Sequence, residues 1–397
     1  MNMSRPPDDV VIVRYGEIAL KSQNVRDRYE KILMSNITSM LDVMGALYDS
    51  VSRDRGRIYI HTADPAAAPA ASKVFGVVSV SPAITCEPTL ESVSAVAADV
   101  GQEIIAEGQS FGIRPRRAGN HSFSSRDVGI ACGDAVWQRI EQRNPSVDLT
   151  NPDVEIFVEV RQNHAFVYTD VVRGVGGLPL GTQGKMVALV SGGIDSPVAA
   201  WLMMKRGCEV IPVYVNNDPF SDETTRQRAM ECIRVLQTWA PGHSLRVYEV
   251  PGGESQVSFL SDCQRRYTCV LCRRMMYRIA AGIMEKEHAH GIITGASLGQ
   301  VASQTSQNMQ AESCGIHVPI YHPLIGLDKT EIVDIARTIG SYDASTRPAT
   351  CCTAVPEKPA TSAQCDDVYG EETKIDVEEL LSTALSGAKI VNPAEYS

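Results

Sequence analysis

A glycine-rich loop between an apolar strand and a helix constrains the fold of this chain more than any other feature. It lies in the segment Val187-Ala-Leu-Val-Ser-Gly-Gly-Ile-Asp-Ser-Pro197. Glycine lets the backbone turn sharply off a buried strand. The hydroxyls of Ser191 and Ser196 then come beside backbone N–H groups at a helix N-terminus, where anions bind. Proline suits the first turn of such a helix because its missing N–H costs nothing there. The segment therefore predicts a phosphate-binding loop.

The pattern around this loop predicts an α/β fold with a doubly wound parallel sheet, because continuous apolar strands between helices are typical of a sheet covered on both faces. Strand-like runs occur at 187–190, 210–215, 245–250 and 292–294. Helix-like segments occur at 198–206, 223–239, 273–288 and 329–339. Two smaller α+β units precede them, with an Ala- and Pro-rich connector at 62–71. The expected domains are 1–64, 65–172 and 185–360, with a glycine-rich linker at 173–184 and an acidic tail at 361–397 that is disordered or holds a short helix at 377–385.

Composition and charge exclude some classes of protein. No apolar run reaches the length of about 18 residues that suits a membrane span, and the N-terminus does not resemble a signal peptide, so we expect a cytoplasmic protein without a membrane partner. The net charge of −10 argues against a chain that coats nucleic acid with its whole surface. One local cluster is basic and is either an RNA-binding face or a solvated face. It comprises Arg114, Arg116, Arg117, His121 and Arg126.

The 11 cysteines do not form a recognisable disulfide framework. Only Cys269-x-x-Cys272 and the neighbours Cys351 and Cys352 form motifs. Adjacent cysteines are poor disulfide partners because their Cα atoms lie too close together. In a reducing compartment, the cysteines are expected to be catalytic, metal-binding or simply buried. The others, including Cys314 and Cys365, match no motif.

The strand–SGGxDS–helix signature resembles the pyrophosphatase loop of the ATP pyrophosphatase superfamily, whose members split ATP between the α and β phosphates. It is not a Walker A loop, because Gly184-Lys185-Met186 lacks the first glycine and the hydroxyl. A chance glycine turn is the alternative. The resemblance makes Asp195 the candidate for holding Mg²⁺ or orienting the phosphates, since hard cations prefer carboxylates.

Six further motifs together resemble the tRNA 4-thiouridine synthetase family, ThiI. They are Val13-Arg-Tyr-Gly-Glu-Ile-Ala-Leu-Lys21, Val74-Phe-Gly-Val-Val-Ser-Val-Ser-Pro82, Gly176-Gly-Leu-Pro-Leu-Gly-Thr182, Arg273-Arg-Met-Met-Tyr-Arg278, Gly295-Ala-Ser-Leu-Gly-Gln-Val-Ala-Ser-Gln304 and Pro323-Leu-Ile-Gly-Leu-Asp-Lys-Thr-Glu-Ile332. The resemblance implies an N-terminal ferredoxin-like domain, a THUMP domain and a pyrophosphatase domain. It also implies that the N-terminal parts bind the acceptor end of tRNA, that ATP adenylates O4 of the uridine at position 8, and that sulfur then replaces this oxygen.

The resemblance also implies a set of site residues. Those expected to bind ATP are Leu189, Val190, Ser191, Gly192, Gly193, Asp195, Ser196, Tyr214, Val215, Arg273, Gly295 and Gln304. Contact at Tyr214 and Val215 would be through the backbone, because many relatives carry other residues there. Lys329 matches a functional lysine suited to phosphate; the alternative is a surface lysine that starts a helix. Other adenylating enzymes remain open, namely a 2-thiouridine or 2-thiocytidine synthetase or a glutamine-dependent ligase. A non-enzymatic RNA-binding module held by zinc is a further alternative.

Sulfur delivery is expected to involve cysteines, because the chain is too short to contain the C-terminal rhodanese domain of many bacterial members. Cys352 matches the family cysteine that attacks a carrier persulfide, and Cys269 and Cys272 lie where relatives without rhodanese also carry C-x-x-C. The three could ligate a [4Fe-4S] cluster, or the C-x-x-C pair could carry a persulfide and resolve it as a disulfide. A zinc site or ordinary core cysteines are the alternatives. Expected partners are tRNA, a sulfur donor such as a cysteine desulfurase or free sulfide, a sulfur-carrier protein for thiamine thiazole synthesis, and a second copy of the chain in a homodimer.

Overall fold

The computed structural model describes residues 8–54, 56–350 and 352–396. The chain divides between Gly177 and Leu178 into an N-terminal unit and a C-terminal unit. This division falls inside the glycine-rich segment 173–184 that the sequence predicts to be a linker. The exact domain limits drawn from the sequence stay predictions.

The N-terminal unit is built on one mixed sheet in the order β2-β3-β1-β4-β8-β7-β5-β6, with β9 pairing beside β4. Its strands are β1 (Val10–Tyr15), β2 (Ser50–Asp54), β3 (Arg57–His61), β4 (Val77–Cys86), β5 (Ser110–Arg117), β6 (Ser146–Val147), β7 (Val154–Val160), β8 (Ala165–Tyr168) and β9 (Val172–Arg173). Its helices are α1 (Gln23–Met44), α2 (Ala67–Ser72), α3 (Leu90–Ile104) and α4 (Ser125–Ile140).

Strand β4 belongs to both halves of this sheet. Residues 77–83 pair antiparallel with β1, and residues 84–86 pair antiparallel with β8. The two α+β units that the sequence predicts therefore share one continuous sheet. The first part of this sheet, with α1, corresponds to the predicted ferredoxin-like unit. Helices α3 and α4 pack on the second part around a core that includes Val93, Val128 and Ile156.

The Ala- and Pro-rich connector expected at 62–71 contains a helix, because α2 occupies residues 67–72. Its alanines are buried, and Pro69 lies in the first helical turn, where proline is tolerated. The burial of these small side chains stabilises a short helix that composition alone did not predict.

The C-terminal unit contains a second sheet in the order β14-β13-β10-β11-β12-β15. Its strands are β10 (Lys185–Leu189), β11 (Glu209–Asn216), β12 (Val247–Pro251), β13 (Ile292–Ile293), β14 (Ile320–Tyr321) and β15 (Lys389–Val391). Its helices are α5 (Asp195–Lys205), α6 (Glu223–Thr238), α7 (Gly253–Asp262), α8 (Thr268–Lys286), α9 (Ser306–Ser313), α10 (Lys329–Ile339), α11 (Tyr342–Thr346), α12 (Cys365–Glu372) and α13 (Val377–Ser386).

The first five of these strands are parallel, which confirms the predicted doubly wound sheet. The chain runs from β10 outward through β11 to β12, and then returns to the other side of β10 to form β13 and β14. The direction of winding therefore reverses between β10 and β13. In open parallel sheets, ligands bind outside the carboxyl ends of the strands at such a switch point.

The acidic tail is ordered in the described residues. Helix α13 begins at Val377, close to the helix that the sequence suggests, and Leu385 at its end lies against Gly282 of α8. Strand β15 then pairs antiparallel with β12 and extends the sheet. The tail is therefore part of the C-terminal unit rather than an appendage.

A disulfide joins Cys314, just after α9, to Cys365 at the start of α12, with their Cα atoms 6.0 Å apart. The sequence did not predict this disulfide, because neither cysteine lies in a motif. The packing of α12 on α9 brings the two Cα atoms into the range of a relaxed disulfide, although 51 residues separate them in the chain. Within the part of the chain that the structure describes, no helix has the length and apolar character needed to cross a membrane.

Candidate active site

The glycine-rich loop forms a cradle held closed by its own serines. The hydroxyl of Ser196, in the first turn of α5, accepts a hydrogen bond from the backbone N–H of Ser191 at 2.8 Å. The two serine hydroxyls lie 3.1 Å apart, and the backbone N–H of Gly193 donates to the Ser191 hydroxyl at 3.3 Å. The loop thus presents hydroxyls and the N-terminus of α5 to one point, as an anion site requires.

A cavity of about 300 Å³ opens over this loop at the carboxyl edge of the sheet. All but one of the residues expected to bind ATP line it, namely Leu189, Val190, Ser191, Gly193, Asp195, Ser196, Tyr214, Val215, Arg273, Gly295 and Gln304. The exception is Gly192, where an added Cβ would lie 2.8 Å from Nε of Arg228. Gly192 therefore does not line the cavity, and its lack of a side chain allows the loop to pack closely against Arg228.

Asp195 is held by two side chains at the mouth of the cavity. Its Oδ1 accepts a hydrogen bond from Nζ of Lys329 at 2.6 Å, and its Oδ2 accepts one from Nε2 of Gln300 at 2.9 Å. Lys329 begins α10, whose start is fixed by reciprocal hydrogen bonds between Asp328 and Glu331. The structure thus joins the two residues that the sequence singled out for phosphate and metal.

Two features of the cavity wall fit a nucleotide. An added Cβ at Gly295 would lie only 2.7 Å from the backbone nitrogen of Ser196, so glycine is needed where β13 meets the loop. Gln304 is buried, and its Oε1 has no hydrogen-bond partner among the described residues. An unpartnered buried acceptor beside a cavity is suited to a donor such as the amino group of adenine.

A buried charged pair lies behind the cavity wall. Nη1 of Arg273, on α8, donates to Oε2 of Glu312 at 3.2 Å. Glu312 lies on α9 and is fully buried. Tyr277 lies one turn after Arg273 and also lines the cavity, and its hydroxyl lies near the Glu312 carboxyl. Burial raises the pKa of Glu312 to about 7, although Arg273 opposes this effect.

The cysteines of interest gather near this wall. Cys352 lines the cavity, whereas Cys269 and Cys272 lie in the first turns of α8. Both lie within electrostatic range of Cys352. Burial is the main cause that raises the pKa of Cys269, and it raises the pKa of Cys272 to about 12. Both side chains are therefore protonated thiols at neutral pH in this state.

The cysteines as placed do not form a ligand set. Among the described residues, which omit Cys351, no group of three or more His, Cys, Asp or Glu side chains is arranged to hold a metal ion. The Sγ atom of Cys272 instead accepts a hydrogen bond from Nε2 of Gln256 at 2.6 Å. Binding of a metal cluster would need these sulfur atoms to move together first.

The arginine cluster of the N-terminal unit is only partly available to a ligand. Arg114 is paired through Nε with Glu155 at 2.6 Å, whereas Arg116, Arg117 and Arg126 are exposed. The exposed members lie at the end of β5 and the start of α4. We refer to these three exposed arginines as the basic surface.

Sequence reasoning missed several residues of the site. Tyr277, Thr294 and Asn217 line the cavity, and Gln300 contacts Asp195. Tyr277, Thr294 and Gln300 lie within or next to the quoted motifs, so helical spacing from Arg273 and proximity to Gly295 were usable signals. No sequence signal pointed to Glu312, because its role depends on the packing of α9 against α8.

The site combines a phosphate loop at the switch point of a parallel sheet, a carboxylate held by a lysine at the mouth of the cavity, and a cysteine in the cavity wall. This combination defines an adenylating enzyme of the ATP pyrophosphatase class. Family models agree. That described as "Thiamine biosynthesis protein (ThiI)" matches residues 181–377, the ThiI ferredoxin-like domain matches residues 10–81, and the THUMP domain matches residues 87–170.

Whole-chain similarities extend these matches. A probable tRNA sulfurtransferase of Methanosarcina acetivorans is 59% identical over 385 residues, which cover 96% of this chain and 93% of the relative. Another from Methanothermobacter thermautotrophicus is 41% identical over 381 residues, covering 94% and 95%. A crystal structure of a 4-thiouridine synthetase–RNA complex with bound ATP matches with a TM-score of 0.86 at 32% identity, covering 96% of this chain and 99% of that one. This chain belongs to the ThiI family of tRNA sulfurtransferases.

Proposed function

We propose that this chain is an ATP-dependent tRNA sulfurtransferase that converts the uridine at position 8 of tRNA into 4-thiouridine. The observation that carries the proposal is the single cavity in which the phosphate loop, Arg273 and Cys352 meet. A cysteine in that wall puts a sulfur atom beside the nucleotide site, as thiolation requires. Family membership and the similarity to a 4-thiouridine synthetase bound to RNA and ATP support the same activity.

In the first step, O4 of the uridine attacks the α-phosphorus of ATP, and the bond to pyrophosphate breaks. The serines of the loop and the N-terminus of α5 bind the departing pyrophosphate. Lys329 stabilises the developing charge as a compact cation, and its bond to Asp195 orients both groups. Asp195 would hold Mg²⁺, which supplies further charge neutralisation when bound.

In the second step, sulfur attacks C4 and AMP departs with the former O4. Cys352 lines the cavity, and we assign it the role of presenting this sulfur as a persulfide, whose terminal sulfur forms the bond to C4. The thiol of Cys269 or Cys272 then attacks the Cys352 sulfur and gives up its proton to the departing uridine sulfur, which releases the thiolated uridine and leaves a disulfide. A thiol reductant restores the two thiols, and a donor such as a cysteine desulfurase supplies the next persulfide sulfur.

A [4Fe-4S] cluster held by Cys269, Cys272 and Cys352 is a second candidate, for which the three sulfur atoms would have to move together from their positions in this structure. Iron and acid-labile sulfide, measured on protein purified without oxygen, distinguish the two. Roughly four irons per chain, lost in each of the three Cys→Ala variants, would favour the cluster. An iron-free protein that still thiolates tRNA would favour persulfide transfer.

Some expected features stay predictions. They are a free sulfide donor, a carrier protein for thiamine thiazole synthesis, a homodimer and a cytoplasmic location. The exposed arginines Arg116, Arg117 and Arg126 are proposed to contact tRNA phosphates, with the acceptor end as the bound part.

The activity is tested by the exchange of labelled pyrophosphate into ATP, with and without unmodified tRNA. Exchange that requires tRNA, disappears in Asp195→Ala and persists in the surface control Asp334→Ala supports adenylation of tRNA. Mass spectrometry of the digested tRNA then identifies the nucleoside. A 2-thiouridine or 2-thiocytidine product would assign a different thiolase, and the absence of both exchange and thiolation would refute the proposal.

A further inference from the structure

Glu312 is a buried carboxylate that the adenylation chemistry does not use directly. It is fully buried on α9, and its contact with Arg273 is a single long hydrogen bond from Nη1 to Oε2 at 3.2 Å. Its Oε1 is also buried and has no hydrogen-bond partner within the described residues. A buried carboxylate oxygen without a partner is costly, so it calls for an explanation.

Arg273 connects this carboxylate to the cavity. Its side chain lines the cavity beside the phosphate loop and is one quarter exposed, whereas Glu312 is completely shielded from solvent. Guanidinium groups bind phosphate oxygens strongly. When a polyphosphate enters the cavity, Arg273 gains a competing anionic partner, and further negative charge comes close to Glu312.

We propose that Glu312 takes up a proton when nucleotide binds, and so acts as a positioning residue that releases Arg273 to the phosphates. The proton comes from solvent and is placed on Oε1, the oxygen that has no partner. In its ionised form Glu312 retains Arg273, and in its neutral form it does not. The inference rests on the proposed function, because it requires that the cavity binds ATP.

The titratable groups around Glu312 leave Glu312 itself as the group that takes up the proton. From α8, Arg273 and Tyr277 face it, and Cys269 lies within electrostatic range. The segment at 302–304 contributes no titratable group. From α12, Glu372 is already engaged by Arg274 and Arg278, and the two aspartates Asp366 and Asp367 are exposed.

His322 lies near Arg273, and burial followed by the charge of Arg273 lowers its pKa. It is therefore neutral at neutral pH and shares a hydrogen bond of 2.7 Å with Thr294. By contrast, burial raises the pKa of Glu312 to about 7 before nucleotide binds. Added negative charge nearby raises the pKa of a carboxyl group further, so a modest perturbation is enough to protonate it.

The test is calorimetric titration of the full-length protein with Mg²⁺ and α,β-methylene-ATP at about pH 7, in two buffers of different ionisation enthalpy. If the carboxyl is half-protonated before binding and fully protonated afterwards, wild type takes up about half a proton per nucleotide more than Glu312→Gln. Glu287→Gln is the matched control, since Glu287 is also buried in this unit but pairs with Arg246 outside the cavity. It should match wild type.

The possible outcomes distinguish a failure of the proposed function from a failure of the inference about Glu312. No binding of the nucleotide to wild type would overturn the proposed function and this inference together. Binding with equal proton uptake in wild type and Glu312→Gln would overturn this inference alone. If Glu312→Gln does not fold, the pH dependence of nucleotide affinity in the wild type tests the inference instead. After correction for protonation of the nucleotide itself, the affinity must fall severalfold between pH 6.5 and 8. A flat profile would overturn it, and a merely structural role would not produce the slope.

Discussion

The replacement of Glu372 by alanine should destabilise the C-terminal unit more than almost any other single change in the tail. The carboxylate at the end of α12 accepts hydrogen bonds from Nε and Nη2 of Arg274 at 2.8 and 2.9 Å. It also accepts bonds from Nη1 and Nη2 of Arg278 at 2.6 and 3.0 Å. Arg274 has no solvent exposure at all. Both arginines lie on α8, so this contact fixes the tail to the helix that carries Cys269 and Cys272.

The magnitude follows from the buried cation that remains. The removal of one partner of a buried ion pair costs about 3–5 kcal/mol, because the other charge is left without compensation. Arg274 keeps its bonds to the carbonyl oxygens of Ala311 and Cys314, both at 2.7 Å, which places the loss toward the lower end of that range. For a unit of this size, each kcal/mol corresponds to about 2–4 °C, so a loss of about 3–4 kcal/mol should lower Tm by roughly 6–16 °C.

The assay is thermal unfolding followed by circular dichroism, with and without a reductant that opens the Cys314–Cys365 disulfide. The control is Asp334→Ala, which removes an exposed pair with Arg337 and should cost about 0.5 kcal/mol or less. A loss for Glu372→Ala as small as that of the control, in reduced protein, would refute the reasoning.

The same residue predicts a pH dependence. Burial alone would raise the pKa of Glu372, but the hydrogen bonds from Arg274 and Arg278 outweigh it and lower the pKa below its usual value of 4.5. As pH falls, the unfolded chain therefore binds this proton first. The stabilisation is complete above the ordinary pKa of glutamate and is lost as pH falls through the folded-state value. The difference in stability between wild type and Glu372→Gln should shrink over that range.

Three further predictions concern the site and the basic surface. Gly295→Ala should weaken ATP binding at least tenfold in calorimetry, because the added Cβ would lie 2.7 Å from the Ser196 nitrogen. The control Gly326→Ala should leave the affinity unchanged, because no heavy atom lies within 4 Å of the added Cβ. Equal ATP affinities for the two variants would contradict this prediction. Lys329→Ala should lower kcat for thiolation about 10²–10³-fold, because the variant loses a hydrogen-bond donor to the charge that develops in the transition state. The control Lys358→Ala should leave kcat unchanged. An unchanged kcat for Lys329→Ala would show that Lys329 has no role in the mechanism. Replacing Arg116, Arg117 and Arg126 with alanine should weaken tRNA binding and reduce the salt dependence by roughly 0.7–0.9 per lost phosphate contact, and an unchanged salt slope in filter binding would show that tRNA does not contact this surface.

The sequence by itself determined the elements whose signals are local. The apolar run of β10 and the glycines after it predicted the strand, the turn and the phosphate loop, because backbone geometry there depends on neighbouring residues. The alternation of strands and helices predicted the parallel sheet. The helix predicted at 273–288 is present, but α8 begins earlier, at Thr268, and so includes Cys269 and Cys272. The resemblance of several short motifs to one family then supplied the candidate nucleotide residues.

Only the tertiary structure decided the contacts between residues far apart in the chain. Lys329 bonds to Asp195 across 134 residues, and Arg273 bonds to Glu312 across 39. Strand β4 is long enough to pair with different neighbours in its two halves, so the two predicted α+β units share one sheet. Hydrophobic periodicity indicates which face of an element is buried, but not which element covers it. Partners across such faces are set by the packing of the whole unit, and the buried pair behind the cavity wall depends on that packing.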